Sequence, residues 1–143
     1  MILKAQNISK SFYKNSKEIK ILNNIDFEIN AAEIKVLLGP SGSGKSTFLN
    51  ILGTLDSDYS GHLFIDNAEI LSTINSCEIR KYKIGFIFQF HHLLPEFTIF
   101  ENILIPQMMT NKSSKDAEKD SIEMLKLFNL HNRKNHYPSE VSG

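Results

Sequence analysis

The chain has 143 residues, with 16 basic and 16 acidic side chains and a sequence pI near 7.0. This length suffices for one buried core, and the charge balance argues against a nucleic-acid partner or an anionic-membrane surface. The single cysteine, Cys77, excludes an internal disulfide and favours a reducing compartment. No stretch approaches the ~18 apolar residues of a membrane span and no signal peptide is evident, so we expect a cytoplasmic protein that reaches a membrane through a partner.

Apolar residues alternate with polar ones at 2–8 and 19–29, on either side of a polar stretch at 14–18. This pattern predicts two antiparallel strands joined by a short turn. Phe12 and Tyr13 stand just inside the connection, where an aromatic ring could stack on a nucleotide base. The local sequence favours the simpler interpretation of a strand-end aromatic that covers the core.

Residues 39–47 contain the pattern GxxxxGK(S/T), between an apolar run at 34–38, predicted as a strand, and a predicted helix at 47–52. Glycines let successive backbone N–H groups point inward at phosphates, and the helix N-terminus adds its positive dipole end. Lys45 suits the β- and γ-phosphates, and the Ser46 hydroxyl suits Mg²⁺. The predicted nucleotide-binding residues of this loop are Gly39, Pro40, Ser41, Gly42, Ser43, Gly44, Lys45, Ser46 and Thr47. The alternative is a Gly/Ser-rich turn that ends in Lys-Ser by chance.

The next segment alternates turns and short elements. A turn is predicted at 56–61, then a hairpin at 62–70 with its own turn near Asp66 and Asn67. A short helix at 76–83 would carry Arg80 and Lys81 on a solvated face, and no role is assigned to them. The apolar run at 84–88 predicts a strand buried on both faces of a parallel sheet.

Gln89 ends that run and opens a segment that is polar, aromatic and proline-containing. The edge directly after a core strand is where α/β proteins place their ligands, and a glutamine there can bond a metal-bound or attacking water. His91 and His92 could suggest a metal site. Adjacent histidines on an extended segment point to opposite sides and no third ligand is evident, so metal binding by this pair is disfavoured.

Two helices are predicted in the last third of the chain. Thr98 and Glu101 form a TxxE capping box that begins the first helix, and Ser113 begins the second. Apolar residues near one face of the second helix predict a peripheral amphipathic helix packed on its neighbours. They are Ala117, Ile122, Leu125 and Phe128.

Four features together resemble the ATP-binding subunit of ABC transporters: the aromatic near residue 12, GPSGSGKST at 39–47, Gln89, and PSEVSG at 138–143. The last looks like the first half of the family's LSGGQ signature, formed here by Val141, Ser142 and Gly143. The resemblance covers essentially the whole chain. GFIFQFHHLLPEFTIFENILIP at 85–106 looks most like the ATPase of the lipoprotein-releasing system of Gram-negative bacteria, although macrolide-export and cell-division ATPases share much of it.

The resemblance implies an α/β fold: a truncated, ABC-type nucleotide-binding domain of the P-loop NTPase class, with N-terminal antiparallel strands, a P-loop core and part of the helical subdomain. Residues 1–90 would form the nucleotide-binding core, and 91–143 the Q-loop and the helical subdomain up to the start of the signature. ATP and Mg²⁺ are the implied cofactors, with Phe12 stacked on adenine and Mg²⁺ held by Ser46 and Gln89.

The resemblance also implies partners and a location. Residues 89–97 would face the permease subunits of the bacterial inner membrane, and a second ATPase subunit would complete a homodimer. The protein would then be peripheral, on the cytoplasmic face of that membrane. In the family, ATP-driven closure of the two ATPases extracts lipoproteins from the inner membrane.

The chain departs from the family pattern in what it lacks. The rest of the signature, the Mg²⁺-supporting aspartate after an apolar strand, the general-base glutamate and the switch histidine are absent, so no catalytic residue is assigned and hydrolysis is expected to be very slow at best. Residues 34–38 would be left as an exposed apolar edge. Two alternatives stay open: a truncated remnant that catalyses nothing, and an unrelated P-loop kinase or GTPase, which the Gln89 loop and the PSEVSG ending disfavour.

Overall fold

A computed structural model describes residues 1–71 and 73–141 of the chain. Contacts between residues divide the chain into two compact units, Met1–Phe86 and Ile87–Gly143. The first unit holds a sheet, the helix that packs on it and a second helix, and the second unit holds a helical pair. Of the residues singled out from the sequence, Ser142 and Gly143 lie outside the described part.

Four antiparallel strands form the sheet of the first unit, in the order β2-β1-β3-β4. They are β1 Leu3–Lys14, β2 Lys17–Ile29, β3 Ser60–Ile65 and β4 Ala68–Glu69. Two-residue turns with positive φ at both positions join each hairpin, at Asn15-Ser16 and Asp66-Asn67. Such turns match the right-handed twist of the strands, and Asn and Asp tolerate the left-handed conformation they require. Both predicted hairpins are confirmed.

Helix α1, Lys45–Leu52, covers one face of this sheet. Its buried residues Phe48, Ile51 and Leu52 join Ala5, Ile8, Leu22 and Leu63 of the strands in one apolar cluster. The ring of Phe48 meets that of Phe27 edge-on, with centroids 5.7 Å apart. The helix ends at Gly53, as predicted, and a methyl group there would overlap the Phe86 ring. Packing of α1 on the sheet therefore fixes the loop that precedes this helix.

Two apolar runs predicted as strands are not strands. Residues 34–38 and 84–88 form no ladder in the described part of the chain. Ile34, Val36 and Leu38 are 91%, 71% and 87% exposed, so the predicted exposure of this apolar run is confirmed, although the run is not the edge of a sheet. A strand is defined by pairing with a neighbour, and no parallel neighbour occurs among residues 1–71 and 73–141. The prediction of a parallel sheet around these runs is therefore wrong for the described residues.

Helix α2, Thr73–Tyr82, begins a turn earlier than the predicted helix at 76–83. The guanidinium of Arg80 is not simply solvated. Its Nη1 donates to the backbone oxygen of Thr54 at 2.5 Å and to the Thr54 hydroxyl at 3.3 Å. Arg80 thus holds the turn that follows α1, which corrects the interpretation that it has no role.

The second unit contains α3, Ile99–Met108, and α4, Ser114–Leu127, followed by single 3-10 turns at His131–Arg133 and Pro138–Glu140. The capping box at α3 is confirmed: Thr98 Oγ1 accepts the Glu101 N–H at 3.2 Å, and Glu101 Oε2 accepts the Thr98 N–H at 2.8 Å. The cap at Ser113 is confirmed by its bond from the Asp116 N–H.

The buried face of α4 differs in part from the predicted one. Ala117, Ser121 and Leu125 are buried at i, i+4 and i+8, and the Ser121 hydroxyl is satisfied by the Ala117 carbonyl at 2.7 Å. Phe128, at the C-cap, is exposed, so its predicted place on that face is wrong. Within residues 1–71 and 73–141, every helix is too short or too polar to cross a bilayer.

Candidate nucleotide-binding site

The loop at 39–44 is built around glycines that no other residue could replace without strain. Gly42 and Gly44 have φ values of +79° and +89°, in the left-handed region. A Cβ at Gly44 would also lie 3.0 Å from Leu22 Cδ2 and 3.1 Å from the backbone oxygen of Ile21. Strand β2 therefore supports the loop from one side, and both the backbone and the space require glycine at 44.

The N-terminus of α1 points its donors into this loop. Gly44 is the N-cap and provides no side-chain cap, and the Phe48 N–H makes the first helical bond, to Gly44 O at 2.8 Å. Because an α-helix leaves its first N–H groups without intrahelical acceptors, those of residues 45–47 are free of helical partners and suit an anion. The Ser46 side chain is exposed at the same place, and that of Thr47 is half-buried.

The ammonium group of Lys45 lies across the loop. It donates to the backbone oxygens of Pro40 at 2.6 Å and Gly39 at 2.9 Å, and to Ser43 Oγ at 3.3 Å. These contacts hold a positive charge against the backbone oxygens of the loop, next to the N-terminus of α1. A phosphate chain in the loop would offer the same ammonium stronger, charged acceptors.

Phe12 lies near the end of β1, opposite Ile19 of β2, and its ring is about half exposed. The structure thus leaves a face of this ring open to a partner. The Lys10 Nζ lies 5.0 Å from the ring centroid, within range of a cation–π contact.

Lys10 itself is buried and forms what we call the Lys10 cluster, with Asp56 and Asp58. Its Nζ is 2.9 Å from Asp56 Oδ2, 3.3 Å from Asp58 Oδ2 and 2.5 Å from the Asp58 carbonyl oxygen. Burial lowers the pKa of Lys10, but the hydrogen bonds and charges of the two carboxylates outweigh it, so the pKa lies above its ordinary value. Sequence reasoning missed this cluster because Lys10 lies 46 and 48 residues from its two aspartates.

Gln89 belongs to the second unit, at the start of an exposed segment. All side chains of residues 89–97 are exposed, among them the apolar Phe90, Leu93, Leu94 and Phe97. The Phe88 ring meets the His92 ring edge-on at 4.9 Å, and His92 has a φ of +46°. The joint binding of one Mg²⁺ by Ser46 and Gln89 stays a prediction, as does the adenine contact of Phe12.

Asn102 organises the end of this exposed segment. Its Oδ1 accepts the Leu94 N–H at 2.8 Å, and its Nδ2 donates to the carbonyls of Leu94, Phe97 and Thr98 at 3.0–3.1 Å. Sequence reasoning did not single it out. The available signal was an asparagine in the first turn of a helix, where this residue type competes with the backbone for hydrogen bonds.

The segment that leads to Val141 is tied to the start of α3. The Ile99 and Phe100 N–H groups donate to the carbonyls of His136 and Lys134, each at 2.9 Å. The Tyr137 N–H donates to Glu140 Oε2 at 2.7 Å, and Val141 follows, half-buried. The start of α3 thus lies between the exposed segment 89–97 and the approach to the partial signature.

Comparison with known proteins gives consistent matches. A family model described as ABC transporter matches residues 22–143. The lipoprotein-releasing system ATP-binding protein LolD of Buchnera aphidicola subsp. Schizaphis graminum is 43% identical over 145 residues, which cover 100% of this chain and 63% of that protein. LolD of Porphyromonas gingivalis is 46% identical over 145 residues, covering 100% of this chain and 64% of that protein.

Solved structures agree with this assignment. A dimeric structure of the ATP-binding cassette MJ0796 in a post-hydrolysis state, bound to ADP and Pi, has a TM-score of 0.87 and 35% identity, covering 99% of this chain and 63% of that one. A second dimeric structure of MJ0796, a bacterial ABC transporter cassette, has a TM-score of 0.87 and 36% identity, covering 99% and 64%.

The chain therefore spans less than two thirds of the length of these relatives. The ABC-type fold expected from the sequence is confirmed. The glycine loop, the helix that it caps and a family match over residues 22–143 show that this chain belongs to the ABC transporter family.

Proposed function

We propose that this chain binds MgATP at residues 39–47 and is the ATP-binding part of an ABC transporter ATPase. The observation that carries the proposal is the glycine loop with the Lys45 ammonium held across it, at the N-terminus of a helix that is packed on the sheet. Backbone donors and one mobile cation are what a triphosphate requires.

Each group of the loop has a role in this proposal. The N–H groups of 45–47 bind phosphate oxygens, and Lys45 exchanges the carbonyls of Gly39 and Pro40 for the β- and γ-phosphates. Mg²⁺ neutralises phosphate charge when bound, and the exposed Ser46 hydroxyl is an oxygen ligand of the kind that this hard cation prefers. Gln89 is the second ligand in the proposal, and Phe12 stacks on the adenine.

We further propose that the transporter is of the lipoprotein-releasing type, with a second ATPase copy and an inner-membrane permease as partners. The support is the 41–46% identity to proteins named LolD and the dimeric form of the MJ0796 structures. The exposed apolar side chains within residues 89–97 are suited to contact the permease. The ATPase would then lie on the cytoplasmic face of the inner membrane.

The test of nucleotide binding is a melting experiment on the full gene product with and without MgATP. A site saturated at 100-fold its dissociation constant gains about 2.7 kcal/mol, and Lys45→Ala should lose that gain. Lys35→Ala is the matched control, because this exposed lysine precedes the loop and forms an ion pair with Glu33. An equal shift for wild type and Lys45→Ala would contradict the proposal.

The test of transport is release of lipoproteins from inner-membrane vesicles of the source organism, with the Lys45→Ala protein in place of wild type. The proposal requires ATP-dependent release to be lost. Unchanged release would refute the assignment to a lipoprotein-releasing system. If the protein binds MgATP but takes no part in lipoprotein release, the proposed nucleotide site stands and the proposed transporter type is refuted.

A further inference from the structure

The side chain of Asn102 directs both its donor and its acceptor groups to one short stretch of backbone. It accepts one bond through Oδ1 and donates through Nδ2 to three carbonyls, and its partners all lie within residues 94–98. An asparagine in a helix normally leaves its amide to solvent or to its own backbone. Here the amide closes a loop five to eight residues upstream in the sequence.

The helix that carries Asn102 is itself anchored at its first turn. The Thr98–Glu101 box satisfies its N-terminus, Ile99 is buried, and the Ile99 and Phe100 N–H groups bond the carbonyls of residues 136 and 134. Asn102 is therefore held in place by the first turn of α3, and residues 94–98 are the stretch whose conformation depends on Asn102. The Leu94 carbonyl accepts the Phe97 N–H at 3.2 Å in a turn, and the Asn102 amide adds a donor to this carbonyl and supplies one to the carbonyl of Phe97, which lies outside regular secondary structure.

We propose that Asn102 is a positioning residue that holds residues 94–98 in the conformation that contacts the permease. The inference rests on the proposed function, which assigns permease contact to residues 89–97. By fixing the backbone at Leu94 and Phe97, Asn102 sets where these two exposed apolar side chains stand. A segment that is already ordered loses less conformational entropy on docking, so permease affinity depends on this amide.

The isosteric change Asn102→Asp tests the inference. It keeps the acceptor for the Leu94 N–H and puts a carboxylate oxygen against the carbonyls of Leu94, Phe97 and Thr98, which repel it. Asn111→Asp makes the same charge change at an exposed position of the same unit and is the matched control. Both are made in the full gene product, with the permease subunits of the organism's lipoprotein-releasing system, purified in detergent, as the binding probe.

The inference requires three results together: faster local hydrogen exchange, weaker permease binding, and preserved nucleotide binding and overall structure. Hydrogen exchange of the Phe97 amide, which donates to the Leu94 carbonyl at 3.2 Å, should quicken about tenfold and permease affinity should fall about tenfold, as when one or two net hydrogen bonds are lost. MgATP affinity should stay at the wild-type value and the melting temperature should fall by only about 3–6 °C, as expected for a tenfold effect, since a general loss of structure would lower both much further. Asn111→Asp should change none of these. Should Asn102→Asp fail to fold, Asn102→Ala, which removes the amide without adding charge, is read by the same three criteria.

A second variant separates failure of the inference from failure of the proposed docking surface. Phe90→Asp places a charge in the exposed segment outside the stretch held by Asn102. If Phe90→Asp loses permease binding while Asn102→Asp binds as wild type, the positioning role is overturned and the docking surface stands. If both variants bind as wild type, the docking surface and the inference fall together. If the loss of permease affinity in Asn102→Asp is accompanied by a general loss of structure, seen as a large fall in melting temperature, the positioning role is also overturned.

Discussion

Replacement of Lys10 by methionine tests whether the Lys10 cluster stabilises the sheet. Lys10→Met keeps the length of the apolar stem but removes the ammonium that Asp56 and the Asp58 carbonyl share. The lysine side chain is 3% exposed, whereas those of Asp56 and Asp58 are 25% and 92% exposed. The pair with Asp58 is therefore worth at most about 1 kcal/mol, and the main loss is the partly buried carboxylate of Asp56 left without its cation.

The expected loss is about 2 kcal/mol, below the 3–5 typical of a fully buried pair because both carboxylates reach water. For a chain of this size that corresponds to a melting temperature lower by about 4–8 °C. Thermal melts of Lys10→Met and of Lys20→Met, an exposed lysine on the same hairpin, measure it. Adding Asp56→Asn to Lys10→Met should recover about 1 kcal/mol, since a neutral amide needs no cation. A Lys10→Met loss no larger than that of Lys20→Met would refute the reasoning.

The same cluster has a predictable pH dependence. The folded-state pKa of Lys10 is raised above its ordinary 10.5, so its stabilisation is fully present below 10.5 and is lost as pH rises through the raised value. The stability difference between wild type and Lys10→Met should therefore be constant near neutral pH and shrink only in strongly alkaline solution. Melts at neutral pH and above pH 10.5 distinguish this from a packing effect, which would not titrate.

Three further predictions concern the loop, the cap and the exposed run. Gly44→Ala should cost about 1–3 kcal/mol in unfolding free energy and weaken MgATP binding, because φ is +89° and the added Cβ would lie 3.0 Å from Leu22 Cδ2 of β2. Gly85→Ala, with open space around it, is the control. Hydrogen bonds from Thr98 lower the pKa of Glu101 below 4.5, so the cap stabilises above 4.5 and fails as pH falls through the lowered value. Glu101→Gln should keep a cap and flatten the acid limb of circular-dichroism melts; an unchanged limb would contradict this. Leu38→Lys should slow aggregation of the 143-residue chain, measured by light scattering, and leave the melting temperature unchanged. Equal aggregation rates for Leu38→Lys and wild type would show that residues 34–38 are not the aggregation site.

The parts of the fold that the sequence predicts correctly depend on neighbours in the chain. The turns at Asn15-Ser16 and Asp66-Asn67, the helix after Lys45 and the box at Thr98 each need residues only a few positions apart. Local steric and hydrogen-bonding preferences are enough to specify such features.

The parts that the sequence predicts wrongly or misses depend on distant partners. The apolar runs at 34–38 and 84–88 have the composition of core strands, but composition cannot supply the neighbour that a strand must pair with. The sequence did not indicate that Lys10 is buried, since a lysine in a strand is normally a surface residue. Its two aspartates lie far along the chain, in the segment that precedes β3. The same holds for Arg80, whose acceptor in Thr54 is 26 residues away.

Pairing of β1 with β3 joins residues 51–62 positions apart, from Leu3 opposite Ile65 to Ser9 opposite Ser60. The sheet therefore holds both ends of the segment between β2 and β3, which includes residues 39–47 and α1. Opening β3 would remove Leu63 from the cluster in which Ile51 of α1 packs and would let the glycine loop relax. Ligand binding at residues 39–47 and opening of the β1–β3 pairing are thus linked equilibria. A ligand bound in the loop would disfavour the opening of strands that it never touches.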